Sequence, residues 1–235
     1  MEQINGYRLE RWIAVLLGLL FFLPFVARGD ELLYTDSYHG DEIAHVSGER
    51  FLALVVGDDA ARLEPVSIRV RGVYDPIEDL DGEMSGKRVE VEGHDDVFLL
   101  RSARLRAGNV VAATPARTEL PIDAPLTITL GATHYTLDSR CGNTPDPDGI
   151  VECAIVLDDG TRSQVLAHVF QFFEAGNEMR VFFSFAGDLD GDQRLDLLLD
   201  ISKTDHEWHP ALFLSSAAAD GELVAKVAEL VTYAC

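Results

Sequence analysis

The sequence is short of basic residues. It has 19 Lys and Arg against 40 Asp and Glu, so its 235 residues carry a formal net charge of −21. Proteins that bind nucleic acids neutralise phosphates with clustered Lys and Arg. The balance of charge therefore excludes nucleic acid as a partner. Bound cations would instead relieve part of the self-repulsion of such a chain.

The sequence also lacks the short motifs of common catalytic sites. It has no Gly-x-Ser-x-Gly, no cysteine beside a histidine, no Gly-x-x-x-x-Gly-Lys and no dinucleotide-binding fingerprint. In His206-Glu207-Trp208-His209 the histidines are three residues apart, whereas the zinc-protease helix needs four, and we expect a surface loop there. These absences favour a protein that is not an enzyme. Carboxylates are too numerous for a glycosidase pair to be singled out.

No apolar run is long enough to read as an ordinary membrane span. The longest, Trp12–Val26, has about fifteen residues, and a spanning helix needs about twenty. Arg8 and Arg11 precede it, and Ala27-Arg28-Gly29 follows as a small-x-small cleavage site. Residues 1–29 are therefore predicted to be a signal peptide, and the chain to be secreted or periplasmic with no membrane span after cleavage. A retained anchor is the alternative.

Cysteines are few, and their number is odd. Cys141 and Cys153 are close enough in sequence to close a short loop, so we favour a disulfide between them. Cys235 is the last residue. It remains open whether Cys235 is free, links two chains or replaces either partner in the pair.

What the sequence has in abundance is alternation of apolar and polar residues with a period of two. This pattern predicts an all-β fold, either an antiparallel β-sandwich or two small β domains. Asp158-Asp159-Gly160 lies between two alternating runs and predicts a hairpin. Glu222–Val231 fits a helix or a strand, and its valines favour a strand. The other predicted strands are Phe51–Val56, Val66–Arg71, Lys87–Val91, Val97–Leu100, Leu126–Leu130, Val151–Leu157, Ser163–Phe170, a strand with Met179, Val181, Phe183 and Phe185 on one side, and Leu197–Ile201.

A proline-rich segment divides the predicted strands into two groups. Pro115, Pro121 and Pro125 fall within a dozen residues, where a central strand is unfavourable. We therefore predict an N-terminal β region over residues 30–118 and a C-terminal β domain over residues 119–235. A single sandwich with a long crossover is the alternative.

The strongest candidate for a site is the acidic run Gly187–Leu197. Asp188, Asp190 and Asp192 occupy positions 1, 3 and 5 of a loop, Arg194 offers its backbone carbonyl at position 7, and Asp196 stands at position 9. Calcium takes six to eight oxygen ligands, and a tight loop supplies them from alternate residues. The spacing predicts a Ca²⁺ site. A solvated acidic turn is the alternative.

This run resembles the calcium-binding loop of the FG-GAP/VCBS repeats of integrin alpha-chain propellers and many secreted bacterial proteins. The resemblance covers about twenty residues and implies that the loop joins two strands and that the four aspartates hold the ion. Gln193 departs from the family, which usually has Gly at position 6. Leu199 stands at position 12, where an EF-hand has Glu. One good copy is too few for a propeller, which needs at least four blades.

Three weaker candidates complete the predictions. Asp79-Leu80-Asp81-Gly82-Glu83 repeats the spacing but has Lys87 at the ninth position, and Thr144–Glu152 repeats it with two prolines. Trp208 with Ala211–Leu214 is a candidate surface for a partner. Together these features predict an exported, calcium-stabilised β-protein that acts as a binding or structural module, with a protein or glycan as a possible partner. The alternative is a secreted hydrolase with a structural calcium site.

Overall fold

The computed structural model describes residues 29–57, 60–116, 118–120, 124–142, 150–172, 181–204 and 206–233. The predicted signal peptide lies outside this part of the chain, apart from Gly29. Among the described residues no helix is long and apolar enough to cross a membrane. The predicted all-β class is confirmed, because these residues form antiparallel strands and one short 3-10 turn.

The strands follow one another with short connections. In chain order they are β1 (Glu31–Tyr34), β2 (Ser37–Tyr38), β3 (Arg50–Val56), β4 (Ala61–Ser67), β5 (Arg69–Val73), β6 (Gly86–Glu90), β7 (Phe98–Arg101), β8 (Gly108–Ala112), β9 (Thr118–Glu119), β10 (Leu126–Leu130), β11 (Thr133–Cys141), β12 (Ile150–Asp158), β13 (Ser163–Phe172), β14 (Phe182–Asp188), β15 (Asp196–Asp200), β16 (Glu207–Trp208), β17 (Pro210–Leu214), β18 (Ala225–Glu229) and β19 (Thr232–Tyr233). The 3-10 turn, Ser215–Ala217, follows β17.

A ten-stranded sheet dominates the fold. Its order is β1-β7-β3-β4-β8-β14-β15-β17-β18, with β9 paired to the first residues of β14. Because β18 lies beside β1, the sheet curls almost into a barrel. Strands from both sides of the proline-rich segment pair in it: β8 hydrogen-bonds β14 through Gly187–Ala112 and Asp188–Val111. Three smaller sheets have the orders β10-β11-β12-β13, β2-β6-β5 and β16-β19.

Two hydrophobic cores share the centre of the large sheet. The inner core lies within the curled sheet, and the outer core lies between the sheet and strands β10–β13. Alternate residues of β15 point to opposite cores: Leu198 belongs to the inner core, and Leu197 and Leu199 to the outer one. All five residues of β17 are buried for the same reason. The β14–β15–β17 segment therefore holds both cores together.

Several strand predictions are confirmed. Leu126–Leu130 is β10, and Asp158 pairs with Ser163 across the predicted hairpin between β12 and β13. The segment that fitted either a helix or a strand contains the strand β18. Cys141 and Cys153 face each other on β11 and β12 and form a disulfide, as favoured. Cys235 lies outside the described residues.

Two strand predictions are wrong in an informative way. Val66–Arg71 is not one strand, because Ile68 interrupts it: Ile68 is buried in the inner core, and its N–H donates to the carbonyl of Glu49. The residues before it belong to β4 and the residues after it to β5, in different sheets.

The second error concerns β14. Alternation places Phe183 and Phe185 on one side of the strand, but Phe183 lies in the outer core and Phe185 in the inner core. A register shift between them is the cause, since an extra residue in a strand reverses the direction of the side chains that follow. Val181 is buried with Phe183 in the outer core, and Met179 lies outside the described residues.

Candidate metal centre in the acidic loop

The acidic loop connects β14 to β15 at the end of the segment that both cores share. Gly187 pairs with Asp196 across these strands, so Asp188 and Asp196 lie at the two ends of the loop and next to each other. Gly187 also approaches β8 closely: a Cβ there would lie 2.5 Å from the carbonyl oxygen of Val111. Only glycine fits at this crossing, which fixes the strand just before the first aspartate.

Three of the four predicted aspartates converge. Asp188, Asp190 and Asp196 each offer a carboxylate oxygen, and these three oxygens lie within 4.8 Å of one another. Asp196 is fully buried, Asp188 is 7 % exposed and Asp190 is half-buried. Charged aspartates are seldom buried without a partner. The arrangement is therefore one that a cation would stabilise.

Asp188 organises the turn of the loop. Its Oδ1 accepts hydrogen bonds from the N–H groups of Gly191 (2.7 Å) and Asp192 (3.0 Å), and its Oδ2 accepts one from the N–H of Gln193 (3.0 Å). Closing the turn this tightly requires left-handed backbone at Gly191 (φ +86°) and at Gln193 (φ +66°). Gln193 is the position where the resembling loops have glycine, and a side chain there costs about 1 kcal/mol.

Asp196 connects the loop to the turn after β17. Its Oδ2 accepts the N–H of Leu189 at 2.7 Å, and its Oδ1 accepts both the N–H and the hydroxyl of Ser215, at 2.8 and 2.9 Å. Burial, with the charge of Asp190 adding to it, raises the pKa of Asp196 to about 7 in spite of these hydrogen bonds. Near neutral pH this carboxyl group is poised between its charged and neutral forms.

Asp192 makes other contacts, and its role as a ligand stays a prediction. Its carboxylate pairs with the guanidinium of Arg194, at 2.6 Å from one terminal nitrogen, and accepts the hydroxyl of Ser215 at 2.9 Å. Asp192 is absent from the group of converging carboxylates. The guanidinium of Arg194 also donates to the carbonyl of Ser215 at 3.0 Å. The Arg194 carbonyl as a ligand stays a prediction.

Ser215 and Ser216 belong to the site and were not predicted. The Ser215 hydroxyl contacts Asp192 and Asp196, and the Ser216 hydroxyl donates to Asp190 at 2.5 Å. Both serines lie about twenty residues further along the chain, in the 3-10 turn. Two serines after an apolar strand form no sequence motif. The sequence alone therefore does not indicate that they lie beside the acidic loop.

The weaker candidates do not form comparable sites among the described residues. Asp79 accepts hydrogen bonds from the N–H groups of Asp75 (2.7 Å) and Ser85 (2.9 Å) and so closes a turn. Thr144 and the loop around it lie outside the described residues, apart from its end. A second cluster, Glu31, His45 and Glu49, contains two ion pairs to Arg101, whose positive charge opposes a bound cation.

Two expectations about the C-terminal segment are wrong. The partner surface on Ala211–Leu214 does not exist as such, because these residues are buried in the middle of the large sheet between β15 and β18. The expected surface loop around Trp208 contains the short strand β16, paired with β19. His209 beside it is buried and contacts the carboxylates of Glu207 (3.1 Å) and Glu229 (2.8 Å).

Comparison of the chain with protein-family models, with curated proteins and with solved structures found no match. The reasons for a function therefore come from the site itself.

Proposed function

We propose that this chain is an exported β-protein that binds one calcium ion in the loop between β14 and β15 and acts as a binding or structural module stabilised by that ion. The observation that carries the proposal is the convergence of Asp188, Asp190 and Asp196 in a largely buried position.

The donor atoms suit calcium. Carboxylate oxygens are hard ligands, which calcium prefers, and calcium–oxygen distances are about 2.3–2.6 Å. Two ligands of one ion are then at most about 5 Å apart. The three oxygens, all within 4.8 Å of one another, satisfy this limit. Neither His nor Cys belongs to this group, which disfavours zinc and copper.

The electrostatics of the loop favour a bound cation over a solvated turn. Three carboxylates in a small volume repel one another, and Asp196 has no contact with water that could screen it. The raised pKa of Asp196 shows that burial and the charge of Asp190 disfavour its ionised form. A dication would offset the repulsion and keep all three groups ionised. The proposed role of the ion is therefore to hold the loop closed.

The place of the loop in the fold supports a structural role. Asp188 ends β14, Asp196 begins β15, and Ser215 follows β17. These are the strands whose side chains alternate between the inner and the outer core. An ion that fixes their ends would stabilise both cores at once.

The predicted export agrees with this chemistry. Calcium modules that work outside the cytoplasm function with dissociation constants of about 10⁻⁴–10⁻³ M, because calcium is plentiful there. The proposal is tested by sequencing the N-terminus of the protein produced with residues 1–29 in place. We expect the mature chain to begin near Asp30. A protein that retains Met1 and stays in the cytoplasm would contradict export.

Calcium binding is tested by isothermal titration calorimetry on wild type and two matched variants. We expect one ion per chain for wild type, at least tenfold weaker binding for Asp190→Asn and a smaller loss for Asp192→Asn. Both substitutions remove one charge from the same loop, so overall charge does not explain a difference between them. Wild-type protein that takes up no calcium at millimolar concentration would refute the proposal.

A further inference from the structure

Two grooves on the surface meet at one tryptophan. The larger, about 820 Å³, lies at one end of the large sheet, and the smaller, about 410 Å³, lies beside β2, β5 and β19. Trp208 lines both of them. Neither groove contains Asp188, Asp190 or Asp196, so they are separate from the proposed calcium centre. A ligand that crosses Trp208 would contact both.

Aromatic rings form the floor of the larger groove. The rings of Tyr34, Phe98 and Trp208 pack together, with centroids 4.8 Å apart for Tyr34–Phe98 and 5.0 Å for Tyr34–Trp208. Phe182 also lines the groove, and it is 47 % exposed although it is a large apolar residue. The smaller groove has exposed aromatic rings as well, from Tyr74 and Tyr233. Aromatic faces bind flat apolar groups and cations.

The charged side chains that line the larger groove are almost all acidic. They are Asp95, Asp96, Glu119 and Asp200, together with His94, which already pairs with Glu64 at 2.8 Å. The smaller groove repeats the pattern with Asp36, Glu42 and Asp75, the last paired with His39 at 2.7 Å. Among the described residues that line either groove, none is Lys, Arg, Asn or Gln.

This composition selects the chemistry of the ligand. Carboxylates only accept hydrogen bonds, and Lys, Arg, Asn and Gln are the side chains that would donate several. The grooves therefore lack side chains with several donors, and the donors that line them are single hydroxyl, imidazole or indole groups, such as those of Ser37, Tyr74 and Trp208. A glycan offers hydroxyls that both donate and accept, whereas an ammonium or guanidinium group only donates. Acidic rims around aromatic faces favour the cation, since both attract it.

Acidic groups from the two grooves lie close to the same ring. The pKa of Tyr34 is raised by burial and by the charges of Asp96 and Asp36. Asp96 lines the larger groove and Asp36 the smaller one. The acidic rims of both grooves therefore lie near the Tyr34–Trp208 pair. A single small cation would use only part of this surface.

We propose that the two grooves joined at Trp208 bind an extended, basic peptide segment, with Lys or Arg side chains over the aromatic floor and against the acidic rims. This inference rests on the binding role proposed above and names its partner class. One basic side chain would enter the larger groove beside Asp95 and Asp96, and a later one would enter the smaller groove beside Asp36.

The test uses Trp208 as its own reporter. The chain has two tryptophans, Trp12 and Trp208, so the full chain with Trp12→Phe leaves Trp208 as the only one. Its fluorescence is followed during titration with octalysine at physiological ionic strength and in the presence of calcium. We expect a saturable change in intensity or wavelength. A flat titration would overturn the proposal.

Matched variants separate the grooves from general negative charge. Asp95→Asn with Asp96→Asn removes two acids of the larger groove, and asparagine tolerates the left-handed backbone at Asp96 (φ +53°). We expect octalysine to bind about tenfold more weakly. The control, Asp81→Asn with Asp220→Asn, removes the same charge from exposed positions outside both grooves and should leave binding unchanged. An equal loss in both pairs would overturn the proposal.

Ligand length tests the continuity of the two grooves. Asp36→Asn should weaken binding of octalysine but not of dilysine, because dilysine is too short to reach the second groove. Spermidine binding as tightly as octalysine would contradict an extended peptide. A neutral oligosaccharide that binds equally well to wild type and to the Asp95→Asn, Asp96→Asn protein would identify a glycan site instead.

The same samples distinguish this inference from the calcium proposal. The thermal midpoint of each protein is measured with calcium and with excess chelator. Calcium stabilisation without peptide binding refutes the peptide site alone. Peptide binding without calcium stabilisation refutes the structural ion alone.

Discussion

Ser215 donates two hydrogen bonds to a single carboxylate oxygen, Oδ1 of Asp196: one from its backbone N–H at 2.8 Å and one from its hydroxyl at 2.9 Å. Asp196 is fully buried, and Ser215 is 1 % exposed. This contact joins the start of β15 to the turn after β17. It stabilises the charged form of an aspartate that burial otherwise disfavours.

Removing the Ser215 hydroxyl should destabilise the protein. Ser215→Ala keeps the backbone hydrogen bond but removes the hydroxyl, whose single proton is shared between the buried carboxylate of Asp196 and that of Asp192. We expect the free energy of unfolding to fall by about 1–3 kcal/mol, as for hydrogen bonds to charged groups. Urea unfolding in calcium measures it. Ser216→Ala, at an exposed neighbour, is the control and should cost less than half as much; equal losses would contradict a special role for Ser215.

The raised pKa of Asp196 gives the metal-free protein a specific pH dependence. The folded-state pKa of about 7 lies above the usual value of 3.8, so the folded protein binds more protons between these values. Its contribution to stability is therefore greatest at low pH and is lost as the pH rises from about 4 to 7, by about 1.4 kcal/mol per pH unit at most.

A difference measurement isolates this group. The free energy of unfolding of wild type, relative to Asp196→Asn, is compared at pH 5 and pH 8 in excess chelator. We expect the free energy of unfolding of wild type, relative to that of Asp196→Asn, to be lower at pH 8 than at pH 5. A difference that is the same at both values would show that Asp196 does not titrate in this range.

Gly187 should tolerate no side chain. The Cβ of an alanine would lie 2.5 Å from the Val111 carbonyl and 2.6 Å from the Phe185 ring. Gly187→Ala must therefore push β8 away from β14, at a cost of about 1–3 kcal/mol. Gly191→Ala is the matched comparison, since its Cβ meets nothing within 4 Å and only its φ of +86° opposes it. A smaller loss at Gly187 than at Gly191 in urea unfolding would contradict the close crossing.

The sequence predicted the local pattern well and long-range neighbours poorly. The alternation in Leu126–Leu130 gave β10 because one face of that strand packs on one core. The same rule failed at Phe183 and Phe185, where a register shift turns successive side chains to different cores. A bulge is fixed by the partner strand, and alternation alone does not reveal it.

The candidate site shows the same division. The spacing in the sequence predicts Asp188, Asp190 and Asp196 as ligands because they lie within one short loop. It did not show that Asp192 turns toward Arg194 and Ser215, since Ser215 reaches the loop only after β15 and β17 have paired. The sequence does not distinguish the buried strand at Ala211–Leu214 from a partner surface, because an apolar run has the same composition in either place.

The most direct measurement of the calcium proposal is the thermal unfolding midpoint of the full chain in 10 mM calcium and in excess chelator. With a dissociation constant of about 10⁻⁴ M, that concentration would add about 2.7 kcal/mol of stability. For a chain of this size we expect the midpoint to rise by about 5–10 °C. Asp190→Asn should lose most of the rise and, in chelator, be at least as stable as wild type. A wild-type midpoint that is the same in calcium and in chelator would contradict a structural calcium ion in this loop.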